Sequence, residues 1–386
     1  MKIVFVSNYY NHHQAPFSEA ISKLPDVEYV FVETGTMSEE RKKLGYGIDH
    51  FPSFVIKKEQ FDKERDNVQI IINEADVVIL GSAPDYLLRY RHKKGLLVYI
   101  NTERLYKTPL PKWKAFPMLI KNYLRFGRHK NDYILCSSAF TAYDFSLTGN
   151  FANKTYKWGY FPETIKYNVA QIINDKKPFS ILWAGRFIQW KHPEIPILIA
   201  ERLKNNGFSF EMNIIGTGEL GEYLSEYIIK KDLADNVHLL GAMSPENVRK
   251  HMEKSEIYLS TSDRNEGWGV VINEAMNSAC AVVASSEIGS VPFLIEDKVN
   301  GLIFDDGNID AAYNLVLNLL TNHEYRRKIG TNAYYSIVDK WNAKIAAERF
   351  VKLSDEIIAT GGSRFFIDGP CSRAEIIEDY WYKKIS

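Results

Sequence analysis

The chain alternates short apolar runs with longer amphipathic stretches. Residues 3–6, 27–32, 75–80, 96–100 and 133–136 are brief, rich in valine and isoleucine, and followed by polar positions. Runs of this kind mark parallel strands buried on both faces. A helical pattern over 17–24 separates the first two, and Pro16 suits its opening turn. The series breaks at the polar stretch Asn174-Asp175-Lys176-Lys177-Pro178 and restarts over 179–185. A helix over 193–205 and strands over 212–215, 237–240, 257–259 and 281–284 follow, and from Asp310 the pattern is helical to about Ile358. This alternation predicts an α/β protein with two Rossmann-like doubly wound domains. The expected limits are 1–172, 173–340 and a helical segment 341–386 that packs back toward the first domain. No functional reading attaches to 361–386.

Composition narrows the class. A chain of 386 residues exceeds what a single core usually holds, in keeping with two domains. The 48 basic residues balance the 48 acidic ones, so net charge gives no reason to expect nucleic acid as a partner. Cys136, Cys280 and Cys371 are few and unpatterned, which argues against a disulfide framework or a zinc site and for a reducing compartment. The first apolar run is too short for a signal peptide, and no stretch reaches membrane-spanning length. A cytoplasmic protein is expected. One region departs from the balance: Arg104, Lys107, Lys112, Lys114, Lys121, Arg125, Arg128 and Lys130 occur without an acidic residue between them. Trp113, Phe116, Met118, Leu119, Ile120, Tyr123, Leu124 and Phe126 are interleaved with them. Such a stretch suits an interfacial helix at an anionic membrane, or an ordinary surface helix packed on the core; the first would make the protein peripheral, on the inner face of the plasma membrane if the chain is cytoplasmic.

In doubly wound sheets, ligands bind where loops leave the carboxyl ends of the strands. The first such loop, Asn11-His12-His13-Gln14, has no glycine, so the dinucleotide fingerprint is absent. His13 or His12 is positioned there to hydrogen-bond a phosphate or a sugar. The second domain contributes three loops. Gly185 to Lys191 carries Arg186 and Lys191, two cations able to face one diphosphate. Gly216-Thr217-Gly218 is a glycine-bearing turn. In Glu266-Gly267-Trp268-Gly269-Val270-Val271-Ile272-Asn273-Glu274, a helix starting near Val270 leaves Glu266 in the loop and puts Glu274 about one turn inside. Gly267 and Gly269 allow close backbone approach, the free N–H groups of the first turn favour a phosphate, and Glu274 is able to accept both hydroxyls of a ribose.

Taken jointly, Gly185-Arg186 with Lys191, Gly216-Thr217-Gly218, Leu240-Gly241, the two glutamates separated by seven residues, and Asn300-Gly301-Leu302 resemble the retaining GT-B glycosyltransferases of the family 4 group. Many bacterial members of that group build capsular, exopolysaccharide or lipopolysaccharide chains. The match covers about half the chain. The resemblance implies two Rossmann-like domains facing a central cleft, and transfer of a sugar from a nucleotide-sugar, with a UDP-sugar as the expected donor. The acceptor it implies is a saccharide or lipid-linked saccharide. It casts Glu266, Arg186 and Lys191 as catalytic, joined by His13 from the other domain. It assigns the donor to Glu274, Gly267, Trp268, Gly269, Val270, Gly216, Gly218 and Leu240. No metal and no cofactor is expected: no two aspartates stand two apart, so cations and the helix N-terminus would serve in the metal's place. The first domain departs from the group. It lacks the usual glycine pair in its first loop and has Asn101-Thr102-Glu103-Arg104 where many members have a histidine. His12, Asn101 and Glu103 are the acceptor-side candidates. A nucleotide-sugar epimerase of the same fold and a non-catalytic nucleotide-sugar-binding subunit stay open as alternatives. A hydrolytic carboxylate pair suits the glycine-rich, phosphate-seeking context less well.

Overall fold

The computed structural model describes residues 1–39, 47–48, 50–147, 149, 151–362 and 366–384. Two parallel sheets account for the apolar runs. The first has seven strands in the order β3-β2-β1-β4-β5-β6-β7. These are β1 (Lys2–Ser7), β2 (Glu28–Glu33), β3 (Val55–Ile56), β4 (Val77–Leu80), β5 (Val98–Thr102), β6 (Asp132–Cys136) and β7 (Thr155–Lys157). The second has six in the order β10-β9-β8-β11-β12-β13. They are β8 (Lys177–Ala184), β9 (Glu211–Ile215), β10 (Val237–Leu239), β11 (Ser255–Ser260), β12 (Ala281–Ser285) and β13 (Leu302–Phe304). The expected α/β fold of two doubly wound sheets is borne out. In each sheet the strand from which the order reverses is the first, β1 or β8, and its apolar residues are buried over 3–6 in β1 and 181–184 in β8.

The chain divides into two compact units. One comprises Met1–Glu163 with Trp341–Glu378, the other Thr164–Lys340 with the residues from Asp379 onward. The break precedes 172 because helix Val169–Asn174 packs on helix His323–Asp339 of the second unit, through Ile172 and Tyr334. The segment 341–386 is itself shared. Helix Ala343–Thr360 lies in the first unit, where Phe350 meets Tyr99 and Trp158 at ring separations of 4.9 and 5.8 Å. Beyond it, Cys371 and Ser372 exchange backbone hydrogen bonds with Lys157 on the sheet edge, both 2.8 Å.

Two sequence expectations shift for local reasons. The strand expected over 96–100 begins only at Val98, because Gly95 turns left-handed and the Leu96 N–H closes helix Arg89–Lys94 on the Arg91 carbonyl. The helical tract after Asp310 is three helices. Asn308, Asn322 and Asn342 each accept a hydrogen bond from a backbone N–H three residues on, starting Ile309–Thr321, His323–Asp339 and Ala343–Thr360 in turn.

Candidate functional site

In the second sheet β8 and β11 are neighbours, but β8 leads on to β9 and β11 to β12, on opposite sides. Their loops therefore part at a topological switch point, where such sheets open a crevice. The β8 loop is laced to the β9 loop by backbone: Gly185 N–H donates to the Ile215 carbonyl at 3.0 Å, Phe187 N–H to Thr217 at 2.9 Å, and Leu220 N–H to Phe187 at 3.0 Å. The approach requires glycine. Gly216 has φ of +145°, and a Cβ there would lie 1.8 Å from the Gly185 oxygen. Gly218 packs on the Phe187 carbonyl, and Leu240 hydrogen-bonds Ile214 just before Gly241 accepts the Gly216 N–H.

The β11 loop is fixed to the β8 loop by side chains. Thr261 Oγ1 accepts from Trp183 Nε1 at 2.8 Å and donates to the Lys191 carbonyl at 2.8 Å. Lys191 Nζ is ion-paired with Glu266, whose carboxylate also accepts the Ser262 hydroxyl at 3.2 Å. The exposed Arg186 guanidinium sits 5.6 Å from the Trp190 ring centroid and Lys191 Nζ 4.9 Å from it. Both predicted cations thus share one loop and one ring. Gly269 caps helix Val270–Asn277 with φ of +83°, and a Cβ there would come within 2.8 Å of Ile288. The β12 turn closes over this loop, with Gly289 N–H donating to the Glu266 carbonyl at 3.3 Å and Ser290 N–H to that of Trp268 at 3.0 Å. Gly267 and Trp268 are buried. The indole turns into the core and donates to Asn273 Oδ1 at 2.8 Å, so Trp268 faces any ligand through its backbone rather than its ring.

Glu274 lies inside the helix with its side chain only 16% exposed. Burial pushes its carboxyl above the ordinary 4.5, and Arg249, whose Nη2 is 3.9 Å away, partly counters this. Arg249 also donates to Asn277 Oδ1 at 2.8 Å, which braces the helix from the side. The Tyr258 hydroxyl donates to the Ala184 carbonyl at 3.2 Å and is held neutral by burial and by the nearby carboxylate of Glu274. His192, left-handed at φ of +52°, hydrogen-bonds Glu194 at 2.8 Å, which raises its pKa, and lies 3.7 Å from Asp263. Asp306 takes the Ser285 hydroxyl at 3.1 Å, and burial raises its carboxyl. His192, Arg249 and Tyr258 carry no sequence signal, because each depends on a loop, strand or helix from elsewhere in the chain. Among the described residues no group of three or more His, Cys, Asp or Glu side chains converges as a metal-ligand set would. The arrangement offers two cations and a helix N-terminus to an anion, with two carboxylates in unlike settings for hydroxyls.

The first unit assembles a different set. The His12 and His13 rings lie 3.8 Å apart, and His13 is 5.9 Å from the Tyr160 ring. The Tyr160 hydroxyl donates to Glu103 at 3.0 Å, and Lys107 is 3.5 Å from that carboxylate. Asn101 lies within β5 and accepts the Ser137 hydroxyl at 2.5 Å, which engages its side chain in the sheet. In the basic stretch, helix Lys112–Asn122 runs into a π-helical turn, Tyr123–Gly127. Trp113 and Phe116 are 76% and 71% exposed. Arg104 is not on that surface. It is buried, its guanidinium 4.7 Å from the Phe140 ring centroid and 3.9 Å from Asp144. Among the described residues no helix is long and apolar enough to cross a membrane.

Residues 166–335 match the family described as Glycosyl transferases group 1. The amylovoran biosynthesis glycosyltransferase AmsK of Erwinia amylovora is 27% identical over 52% of this chain and 50% of its own length. The poly(ribitol-phosphate) alpha-N-acetylglucosaminyltransferase of Staphylococcus aureus is 27% identical over 48% of this chain and 38% of its own. The chain thus spans half the length or less of these curated relatives. Anabaena Alr3699/HepE, crystallised in complex with UDP, superposes with a TM-score of 0.65 at 15% identity, covering 91% of this chain and 99% of that one. A likeness at that identity carries the fold alone. By sequence, then, residues 166–335 of the second unit match the glycosyl transferases group 1 family, and by fold the chain is of the two-sheet GT-B type.

Proposed function

We propose that the protein is a retaining glycosyltransferase of the family 4 group, moving a sugar from a nucleotide-sugar, with UDP as the expected nucleotide, to a saccharide or lipid-linked saccharide. The observation that carries this reading is the ion pair between Lys191 and Glu266, which bridges the two loops of the switch point ahead of helix Val270–Asn277. A donor diphosphate would draw Lys191 and Arg186 to itself and meet the N–H groups at the helix start. Glu266, released from the lysine, would accept hydroxyls of the sugar, while Glu274 would hold the ribose. Charge developing on the departing diphosphate would be met by the same cations, without a metal. Retention would follow from attack on the face the diphosphate leaves, with the diphosphate oxygen taking the acceptor's proton. On the acceptor side, His13 and His12 with the Tyr160–Glu103 pair suit a polyhydroxylated ligand.

Two further points support a role in cell-surface polysaccharide synthesis. The relative named for amylovoran biosynthesis shares about half this chain. Exposed Trp113 and Phe116 beside Lys114 and Lys121 suit docking on an anionic membrane, where a lipid-linked acceptor would lie. The test is a thermal-shift panel of nucleotide-sugars, followed by transfer assays with the stabilising donor. Stabilisation by one class of nucleotide and transfer of its sugar are expected. Stabilisation by none, or release of UDP from the donor without any acceptor, would overturn the reading. For the membrane, Trp113→Ser with Phe116→Ser should abolish co-sedimentation with phosphatidylglycerol vesicles; unchanged sedimentation would remove that part.

A further inference from the structure

After Glu378 the chain returns to the second unit and crosses the loops at the carboxyl ends of β11, β12 and β13. Its contacts reach all three of these loops. Asp379 is paired with Arg264 of the β11 loop at 3.2 Å. Tyr380 N–H donates to Glu287 at 3.2 Å, and Trp381 Nε1 donates to the Ser286 carbonyl at 3.0 Å, both on the β12 turn. Lys383 is 3.1 Å from Asp305, just beyond β13. The β12 turn is in turn the one whose Gly289 and Ser290 amides hold the carbonyls of Glu266 and Trp268.

We propose that the segment from Asp379 to Lys384 is a latch: by pairing with Arg264 and gripping Ser286 and Glu287, it positions the Glu266 loop for the donor sugar. Arg264 stands two residues before Glu266, and the β12 turn clasps that loop from the far side, so the latch fixes both approaches to the carboxylate. None of its residues needs to touch the ligand. Asp379 and Trp381 are positioning residues, and this role rests on the donor reading given above. The latch also explains why, in a segment with no motif of its own, the side chains of Trp381 and Tyr382 engage loops rather than a core.

The test uses the full chain with Asp379→Asn, Arg264→Gln, their double variant, and Trp381→Phe, which keeps the ring and removes the donor. The first readout is amide hydrogen exchange at Gly289 and Ser290, which needs no ligand. The second is kcat and KM for the donor beside UDP affinity. Exchange at both amides is expected to speed about tenfold in Asp379→Asn and in Trp381→Phe. Turnover should fall with UDP affinity little changed, because Glu274 is left in place. The double variant should lose no more than either single one, as paired residues do. Unchanged exchange in both variants would overturn the latch. Faster exchange with unchanged donor kinetics would overturn its positioning role. A wild-type chain that binds no UDP would overturn the donor reading and that role with it, while exchange alone would still decide whether the latch holds the turn.

Discussion

The two sheets share one plan, with the first strand at the reversal point and the candidate site loops at the carboxyl ends, yet they build those loops by different means. In the second unit, backbone does most of the work. Gly216 must be glycine because the Gly185 carbonyl occupies the space of a Cβ, and Gly269 because the helix starts from a left-handed residue under Ile288. In the first unit the corresponding surface is made of side chains, His12, His13, Tyr160 and Glu103, and its first loop is held by the side chains of Asn8 and Asn11, which accept the N–H groups of Tyr9 and His13. A site fixed by backbone is narrow in the residues it tolerates. A site lined by side chains is free to change its ligand without changing its frame.

This difference orders the expected effects of mutation. The largest should come from the bridge itself: Glu266→Ala is expected to lower turnover by about 10²- to 10³-fold while leaving UDP affinity nearly intact. Stopped-flow or end-point assays beside calorimetry would separate the two; a loss confined to affinity would count against the role given to the sugar-facing carboxylate. Gly216→Ala comes next. Its methyl would collide with fixed backbone, and about 2–4 kcal/mol of stability should be lost together with nucleotide binding, as read by chemical denaturation. The equivalent test in the other unit, His13→Ala, should leave stability within about 0.5 kcal/mol. Comparable losses at both positions would erase the contrast.

The smallest expected effect is in pH. Burial raises the Glu274 carboxyl above 4.5, so on acidification it protonates earlier than an ordinary glutamate. If the carboxylate form holds the ribose, UDP affinity falls with decreasing pH from a point above 4.5, and Glu274→Gln should flatten that dependence. The sign for stability is opposite. Between 4.5 and the raised value the native state binds more protons than the unfolded one, so this group's burial cost fades as pH falls. The ligand-free protein should therefore gain slightly in stability over the window in which it loses nucleotide. Titration calorimetry and denaturation across one buffer series would show whether the two trends part.

How much of this was legible in the sequence follows from the same contrast. The buried strands read directly from their valine and isoleucine runs, since a parallel sheet covered on both faces admits little else. Gly216, Gly269, Lys191 and Glu266 could be placed because glycine at a close approach and charge at a loop leave marks in the residue type itself. Trp268 could not be placed on pattern alone: its neighbours are loop residues, and only tertiary packing turns the indole toward Asn273 and the core. Arg104 reads as one of a run of surface cations, yet Phe140 and Asp144, distant in sequence, bury it. His192 and the segment from Asp379 meet partners more than fifty residues away, and Arg249 meets Glu274 and Asn277 on another helix; no local signal announces such contacts.

The central claim is that the nucleotide is gripped by the second unit alone. Calorimetric titration of UDP into the wild-type chain, Glu274→Ala and His13→Ala tests it most directly. The account predicts measurable binding by the wild type, unchanged binding by His13→Ala, and affinity weakened at least about tenfold in Glu274→Ala, or roughly 1.4 kcal/mol. Equal affinity in Glu274→Ala and the wild type, or loss of binding in His13→Ala, would contradict it.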